Sequence, residues 1–433
     1  MSSLVIKQKD TCAVIDGKIP HPSLSRIVGT ALLLLVTALA LFGALIDRPP
    51  SYVFDEWVYV NGARSILAGN GILNPEHPPL AKLFFAAGVV IAGDNPIGWH
   101  LAGIVCGAVT VVAIFLWTWV LLRDYSLALT AALLTLFNNF QFVMSRSTML
   151  DVPMFMFAVC GLLAFTAALE LDIGIYWRRA LVAISGTMFG LAGACKWTAV
   201  NTFGTVVLIT VFLLLAGLFA GESAGRNLKR QIRNLQDIGI PALGFGLLLV
   251  PSVTYSLAFI PIFVTSHTPF SLGELVSIQI RMLTLSKGVA GNRYIYSPWY
   301  RWPLMASPMR GLSYLLGNVV VMWGGLIAVA ICCWRLLKSI ALAESLVVLL
   351  FALNLLQWVV TPRPVTFYYY YYPSAMFLST ALAVALRGRE RPQIFGVRLT
   401  VILPVLAAVV FLYCYPRMAR LDSPWDCMFG CWN

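Results

Sequence analysis

Long apolar runs, separated by short polar connections, constrain this sequence more than any other feature. Of its 433 residues, 60% are hydrophobic and 11% are charged, whereas an ordinary soluble domain carries about 25% charged residues. Several runs reach the roughly 20 residues that a helix needs to cross a bilayer. Because lipid cannot satisfy backbone hydrogen bonds, the pattern predicts an all-α polytopic membrane protein.

Eleven transmembrane helices are predicted from these runs. They cover residues 27–46, 100–121, 126–144, 152–170, 180–198, 200–219, 238–262, 313–334, 342–360, 366–386 and 399–415. The apolar stretch 80–93 is too short to cross, and Pro78 and Pro79 open it at a favoured helix start. We expect 80–93, and an amphipathic helix at 56–69, to lie at the membrane surface or to re-enter it.

Positive charge orients these spans. If 80–93 does not cross, 17 of the 30 Lys and Arg residues fall on one side, including Arg226 to Arg233 and Arg387 to Arg398. The positive-inside rule makes that side cytoplasmic. The segment 1–26 is then cytoplasmic, 27–415 is the transmembrane domain and 416–433 is an outer tail. Cations confined to short loops also argue against a nucleic-acid partner, despite the net charge of +12.

This topology gathers the isolated ionisable residues at the outer face. The loops 47–99 and 263–312 lie there, and so do two short breaks between spans, around residues 146–151 and 196–197. A charged residue at membrane depth costs roughly 2.5–3.5 kcal/mol, so such residues usually mark a pathway or a site. We therefore expect the two loops to form an active-site face.

Phe54-Asp55-Glu56 places adjacent carboxylates in the first outer loop. A positioned carboxylate accelerates attack by a hydroxyl group when it accepts the proton, so Asp55 or Glu56 is a candidate general base. The alternative is that Asp55 caps the following helix and Glu56 faces water.

Cations in the same loop are candidates for binding a phosphate group. Arg64, His77 and Lys82 are of this kind, because cations stabilise the charge that develops on a phosphate leaving group. Lys82 is equally interpretable as a residue that extends toward the interface, and His77 as a brace of the loop.

The breaks between spans hold three further candidates. Arg146 and Asp151 lie five residues apart and either contribute to a site or close the turn with a salt bridge. Lys196 lies between two long apolar helices, where a lysine is costly unless it meets an anion. The alternative is that Lys196 reaches the outer surface alone.

The tyrosine run and the two C-terminal cysteines each allow two interpretations. Tyr368 to Tyr372 either line a groove for a sugar or an isoprenoid chain, or form an interfacial aromatic belt. Cys427 and Cys431 either pair or remain free thiols. The other cysteines in or beside spans are interpreted as packing residues.

Taken together, these motifs resemble the polyprenol-phosphate-dependent protein O-mannosyltransferases, membrane glycosyltransferases of the GT-C type. The resemblance runs from about residue 50 to residue 385. It rests on these motifs in order: Phe54-Asp55-Glu56, His77-Pro78-Pro79-Leu80 with Lys82, Ser145-Arg146 to Asp151, Lys196-Trp197-Thr198, Ser297-Pro298-Trp299, Trp302-Pro303-Leu304 and Tyr370 to Pro373. The loop 263–312 is short, as in a bacterial-type member.

The resemblance implies a GT-C fold and an inverting transfer of mannose from a polyprenyl phosphate to a hydroxyl group of Ser or Thr in an exported protein. It places the catalytic aspartate at Asp55, beside Glu56. It also implies the following donor-phosphate or substrate contacts: Arg64, His77, Lys82, Arg146, Asp151, Lys196, Trp197, Trp302 and Tyr370.

Other expectations follow from the same resemblance. No specific cofactor is implied, and Asp151 is expected either to orient a neighbouring group or to hold a divalent cation loosely. Family members often pair, so we expect a homo- or hetero-oligomer. The location is a bacterial inner membrane with the site facing outward. Two alternatives stay open: an aminoarabinose-transferase-like enzyme that glycosylates a lipid or glycan, and a non-catalytic subunit or lipid-linked-sugar transporter on the same scaffold.

Overall fold

The structure is a computed structural model. It describes residues 23–48, 50–71, 73–219, 225–267, 269–287, 297–306, 315–361, 365–388 and 392–419. Cys427 and Cys431, and the predicted outer tail from residue 420 onward, lie outside these residues.

The described residues are mostly helical, as predicted. Up to residue 219 the helices are α1 (Leu24–Gly43), α2 (Glu56–Leu67), α3 (Leu80–Ala92), α4 (Pro96–Leu122), α5 (Tyr125–Leu136), α6 (Asn139–Ser145), α7 (Asp151–Glu170), α8 (Ile175–Cys195) and α9 (Ala199–Phe219).

The second half adds further helices and one short hairpin. They are α10 (Arg226–Ile238), α11 (Ile240–Gly244), a π-helical turn (Phe245–Leu249), α12 (Val250–Leu257), α13 (Ile260–Thr265), α14 (Leu272–Lys287), α15 (Val319–Lys338), α16 (Leu342–Val360), α17 (Tyr372–Ala385) and α18 (Leu399–Met418). Two short 3₁₀ turns, Trp299–Arg301 and Tyr368–Tyr371, flank this set. Strands β1 (Gln393–Ile394) and β2 (Val397–Arg398) pair antiparallel before α18.

Eight of the described helical segments are long and apolar enough to cross a membrane, and the pair α5–α6, bent by 59°, makes nine. Two predicted spans fall short of this test. Helix α8 carries Arg178 and Arg179 near its start, and α17 has only 14 residues. The number eleven therefore stays a prediction, whereas the polytopic helical fold is confirmed.

Two predicted boundaries were wrong for identifiable reasons. The span predicted at 313–334 begins at Val319, because the side chain of Asn318 accepts the N–H of Val320 and caps the helix. The span predicted at 366–386 begins with the 3₁₀ turn, and the α-helix starts only at Tyr372, with Pro373 in its first turn.

Helix α3 has 13 residues, which corresponds to about 20 Å and is too short for a hydrocarbon core of about 30 Å. It packs between α2 and α4. This arrangement agrees with the prediction of a short helix that does not cross.

The centre of the bundle is formed by α4 and α7. Of their span windows, 72% and 78% are buried inside the protein, compared with 17% for α1. Helix α7 packs along α4 and α8, and it carries Asp151 at its first residue and Glu170 at its last. Its two ends therefore define the two ends of the bundle, about 30 Å apart.

Candidate active site

Asp55 immediately precedes α2 but does not cap it. No hydrogen bond joins its side chain to the first turn of the helix. Instead, the Tyr369 hydroxyl donates to Oδ2 of Asp55 at 2.6 Å. The preceding Phe54 adopts a left-handed backbone conformation (φ 52°), which turns the chain sharply before α2. Asp55 thus occupies the N-cap position of α2, but the alternative in which its side chain caps the helix is wrong.

The pKa of Asp55 is raised above its ordinary value, chiefly because burial disfavours the carboxylate. The Tyr369 hydrogen bond and the positive charge of Lys196 act in the opposite direction, whereas Asp151 and Glu76 add to the increase. A half-buried carboxyl group with a raised pKa is a better proton acceptor than an exposed one.

Glu56 has a different environment from its neighbour. Its side chain is 0% exposed. One oxygen accepts the N–H of Val53 at 2.7 Å, and the other accepts the N–H of Thr148 at 2.8 Å. The second oxygen also contacts Nε2 of His100 at 3.1 Å. Glu56 therefore ties the first loop to α4 and to the α6–α7 connection, and its bonded oxygens do not support the predicted role as a second catalytic carboxylate.

The Glu56 contacts also show which segments lie at the same end of the bundle. Because Glu56 bonds to Thr148, the first loop and the α6–α7 connection lie at the same end of the bundle. The predicted convergence is thus present in the fold for these two segments.

Lys196 and Asp151 form a buried ion pair at this end. Nζ of Lys196 donates to both carboxylate oxygens of Asp151 at 2.8 Å each. The two side chains are 5% and 2% exposed. The alternative in which Arg146 and Asp151 close the turn with a salt bridge is therefore wrong, and so is the alternative of a solitary lysine at the surface.

The five consecutive tyrosines bring the two carboxylates into one site. The Lys196 ammonium lies 5.0 Å from the ring centroid of Tyr370 and 5.9 Å from that of Tyr369, which carries the hydrogen bond to Asp55. Cations at such distances are attracted by the ring face. The site therefore holds Asp55, Tyr369, Tyr370, Lys196 and Asp151 in a chain of direct contacts.

Aromatic stacking fixes these tyrosines. Tyr370 stacks on Trp358 with 4.6 Å between ring centroids and 6° between planes, and Tyr369 stacks on Phe367 at 5.5 Å. All five tyrosines are at most 7% exposed, so the alternative of an interfacial aromatic belt is wrong. Tyr369 and Tyr370, which contact Asp55 and Lys196, form a buried wall of the site.

Arg146 does not face this site. It is 4% exposed, and its guanidinium donates to the carbonyls of Phe42, Ala44, Leu45 and Arg48 at the end of α1. The Phe42 carbonyl belongs to the last turn of α1, which has no intrahelical donor for it, and the other three carbonyls lie in the segment that follows the helix. Arg146 thus fastens α1 to the bundle, and the structure does not support the predicted phosphate contact.

Lys82 and His77 shape the loop before α3. Nζ of Lys82 is fully buried and donates to the carbonyls of Leu73, Asn74 and His77. The His77 ring packs edge-on against Tyr59. Lys82 does not reach the interface, and because its ammonium is enclosed by backbone oxygens the structure does not support the predicted phosphate contact. His77 has the bracing position that was the alternative interpretation.

Arg64 faces away from this loop. It forms a bidentate pair with Asp94, with distances of 2.7 and 2.9 Å, and its side chain is 38% exposed. Arg64 therefore links α2 to the α3–α4 connection, and its guanidinium is engaged by Asp94 and not by Asp55 or Asp151.

The two predicted tryptophans hold neighbouring segments in place. The Trp302 indole N–H donates to Ser297, and its ring is 0% exposed. The Trp197 indole donates to the Tyr255 hydroxyl at 2.9 Å. Trp302 is enclosed by protein and supports the tyrosine wall from behind, whereas Trp197 is half-buried at the edge of the site.

An apolar groove begins at Trp197. It has a volume of about 550 Å³ and runs between α8, α9 and α12. Gly190 allows this packing, because a Cβ there would meet the Pro251 carbonyl oxygen at 2.6 Å. The groove starts one residue away from Lys196.

Sequence reasoning missed two residues of the site. Tyr369 was grouped with its neighbours, and nothing in a run of tyrosines singles out the one that bonds to Asp55. His100 lies inside a predicted span, and only the fold places it beside Glu56. Within the described residues, no group of three or more His, Cys, Asp or Glu side chains forms a metal site, and the divalent cation stays a prediction.

Sequence comparison relates the chain to protein mannosyltransferases. A family model described as dolichyl-phosphate-mannose-protein mannosyltransferase matches residues 76–223. A polyprenol-phosphate-mannose–protein mannosyltransferase of Mycolicibacterium smegmatis is 28% identical over 283 residues, which cover 57% of this chain and 53% of that protein. The match therefore spans about half the length of that relative. The corresponding protein of Mycobacterium tuberculosis is 22% identical, with 90% of this chain and 87% of that protein covered.

Structure comparison gives the fold. The Saccharomyces cerevisiae protein O-mannosyltransferase Pmt1–Pmt2 complex bound to the sugar donor matches with a TM-score of 0.75 at 13% identity, covering 92% of each chain. ArnT of Cupriavidus metallidurans bound to undecaprenyl phosphate matches with a TM-score of 0.62 at 17% identity, covering 93% of this chain and 67% of that one. The resemblance predicted from the motifs is therefore confirmed: the chain has the GT-C glycosyltransferase fold and is similar to the polyprenol-phosphate-mannose–protein mannosyltransferases.

Proposed function

We propose that this protein transfers mannose from a polyprenyl phosphate to a hydroxyl group, with Ser or Thr of an exported protein as the acceptor. The observation that carries the proposal is the contact chain from Asp55 through Tyr369 to Lys196 and Asp151. It puts a proton acceptor and a cation in one buried site, in a fold shared with a donor-bound mannosyltransferase.

The reaction is a single displacement. The acceptor oxygen attacks the anomeric carbon, the bond from that carbon to the phosphate oxygen breaks, and the bonding electrons leave with the polyprenyl phosphate. The hydroxyl proton passes to the Asp55 carboxylate. Because one displacement occurs, the anomeric configuration inverts. The raised pKa of Asp55 favours uptake of the proton.

Lys196 is the cation that we assign to the donor phosphate. Its positive charge acts on Asp55 and lowers the pKa of that carboxyl group, so the cation lies close enough to influence the proposed base. An ammonium in a water-poor site stabilises the charge that accumulates on a departing phosphate. Asp151, the first residue of α7, holds Lys196 in place.

The groove at Trp197 fits the lipid part of such a donor. Its lining is dominated by apolar side chains, including Phe189, Phe203 and Leu247. An isoprenoid chain in this groove would carry its phosphate toward Lys196, one residue from Trp197.

The proposal includes the orientation of the site in the membrane. Arg123, Arg230, Arg335 and Arg387 lie at the bundle end opposite to Asp55, and the positive-inside rule makes that end cytoplasmic. The candidate site then faces outward, from a bacterial inner membrane in our proposal. The paired Pmt1–Pmt2 structure supports an oligomer as a further part of it.

Acceptor chemistry has a second candidate. The fold also matches ArnT bound to undecaprenyl phosphate, so a lipid or glycan hydroxyl is the runner-up. The sequence relatives favour a protein acceptor, because they are named protein mannosyltransferases.

The test is donor turnover by purified protein in nanodiscs, with mannosyl polyprenyl phosphate as donor. We compare the intact protein with Asp55→Asn and with Asp47→Asn, an exposed carboxylate in the same loop. Loss of the proton acceptor is expected to reduce turnover by about 10²–10⁴-fold. Asp47→Asn is expected to keep full activity.

The unfolding temperature of Asp55→Asn, measured on the same samples, shows whether the variant is folded. The raised pKa of Asp55 means that its ionisation opposes folding as the pH rises through that pKa. A neutral asparagine is therefore expected to keep or raise the unfolding temperature. Turnover that survives in Asp55→Asn contradicts the proposed base, and label that enters a lipid instead of an acceptor peptide selects the runner-up.

A further inference from the structure

A second polar cavity lies at the bundle end opposite to Asp55. It has a volume of about 930 Å³. It is lined by residues from the ends of α4 and α7, the first turns of α10 and the α15–α16 connection, together with Arg387. Helix α7 separates it from the candidate active site by about 30 Å, since Asp151 begins this helix and Glu170, in the cavity lining, ends it.

The cavity wall is strongly cationic. Four arginines line it, Arg123, Arg226, Arg230 and Arg387, against one carboxylate, Glu170. Such a concentration of guanidinium groups around a cavity large enough for a small molecule suits a phosphate or another oxyanion.

Two of these arginines are anchored by buried carboxylates. Arg230 pairs with Glu170, and Arg387 pairs with Glu344 at 2.9 Å. The carboxylates are 7% and 3% exposed, whereas the arginine side chains are 41% and 42% exposed. Each pair uses Nη2 of the arginine, and a guanidinium carries five N–H donors. The arginines are thus held in position with donors left over.

Backbone groups add to the positive potential. The first turns of α10 and α16 both line the cavity, and neither N-cap residue, Gly225 or Ala341, provides a capping side chain. Helix N-termini carry partial positive charge and exposed N–H groups. Nε of Arg230 is also buried without a hydrogen-bond partner among the described residues.

Apolar side chains in the same wall indicate the kind of anion. Leu121, Leu122, Ile340 and Leu342 line the cavity beside the arginines. Helix α10 buries Ile232, Leu235 and Ile238 and exposes Arg226, Lys229 and Arg233, as expected for a helix lying along a membrane surface. A ligand with a phosphate and an adjoining hydrocarbon part matches this lining better than free phosphate.

We propose that this cavity binds the phosphate headgroup of an anionic membrane lipid, at a site separate from the candidate active site. Its location, charge and lining carry the proposal, which does not depend on the transfer reaction. Bound lipid would contact the C-terminal end of α7, the first turns of α10 and the α15–α16 connection at the same time.

The experiment uses the full chain in detergent and native mass spectrometry, with phosphatidylglycerol as the probe and phosphatidylcholine as the zwitterionic comparison. The test variant is Arg226→Gln/Arg387→Gln. The matched control is Lys229→Gln/Arg233→Gln, which removes two cations from α10 that do not line the cavity. Arg226→Gln alone, on an exposed residue, serves if the double variant fails to fold.

We expect saturable binding of phosphatidylglycerol and a dissociation constant that rises at least tenfold in Arg226→Gln/Arg387→Gln, or at least threefold in Arg226→Gln alone. The control is expected to change it by less than twofold. Equal loss in the control would overturn the proposal, because diffuse surface charge then explains binding. Saturation by inorganic phosphate at the same site, without preference for lipid, would overturn the lipid source. Absence of saturable binding would overturn the site.

Discussion

Removal of one partner of the Lys196–Asp151 pair allows stability and chemistry to be separated. At 2.8 Å, two unit charges attract by about 6 kcal/mol at an effective dielectric constant of about 20. Loss of hydration offsets much of this attraction, so the net contribution is smaller. Truncating one partner nevertheless costs about 3–5 kcal/mol, because the other charge stays buried alone.

We therefore expect Lys196→Met to lower the free energy of unfolding by about 3–5 kcal/mol, since the Asp151 carboxylate is 2% exposed and water cannot compensate it. The double variant Lys196→Met/Asp151→Asn removes both charges and is expected to recover more than half of that loss. Both variants are expected to be inactive, because neither provides a cation for the donor phosphate.

The measurement is unfolding in mixed micelles of mild detergent and dodecyl sulfate, followed by tryptophan fluorescence, beside donor turnover. Lys229→Met, an exposed lysine on α10, is the control and is expected to stay within about 0.5 kcal/mol. A loss below about 1 kcal/mol in Lys196→Met would refute the buried pair. Recovered turnover in the double variant would refute the role of Lys196 at the phosphate.

Three further predictions concern the surroundings of the site. Tyr369→Phe removes the hydrogen bond that lowers the pKa of Asp55, so the acid limb of the pH profile of kcat/KM is expected to move to higher pH; an unchanged limb would contradict the assignment. Arg146→Met leaves carbonyls at the end of α1 without their donor and is expected to lower unfolding stability by about 2–3 kcal/mol, with Arg146→Lys recovering only part of the loss because lysine lacks the planar fork. Gly103→Ala would place a Cβ 2.7 Å from the Ser145 carbonyl oxygen. Thermal unfolding is expected to show that the free energy of unfolding falls by about 1–3 kcal/mol. Gly204→Ala is the control and is expected to show no such loss, because a Cβ there meets nothing within 4 Å.

The fold class was predictable because apolar length and charge asymmetry are local properties of a sequence. The short helix at 80–93 was recognisable from its length, and it appears as Leu80–Ala92. The start of α15 was not predictable in the same way. The Asn318 side chain caps the helix and so fixes its first residue, and a hydropathy pattern gives no weight to a capping side chain.

The site was only partly predictable for a similar reason. Residue type identified Asp55, Asp151 and Lys196, since isolated charges in an apolar chain are costly. It could not assign partners. Arg146 and Lys82 are equally isolated, yet both satisfy backbone carbonyls instead of a ligand.

The distinction depends on tertiary contacts between distant segments. Arg146 meets the end of α1, about 100 residues earlier in the chain (separations of 98 to 104), and the Tyr369–Asp55 bond spans 314 residues. No local spacing encodes either contact. An isolated charge therefore indicates that a partner exists, and only the fold shows whether the partner is a helix end, another side chain or a substrate.

The Lys196–Asp151 pair also has a consequence for biosynthesis. The two residues are 45 positions apart, and a ribosome adds about 5–20 residues per second, so Asp151 emerges about 2–9 s before its partner. Helices α7 and α8 form the hairpin that brings the two ends together. During that interval the nascent α7 carries a carboxylate whose lysine partner has not yet been synthesised. If α7 and α8 enter the membrane together as one hairpin, Asp151 does not enter the bilayer without the opposite charge of Lys196.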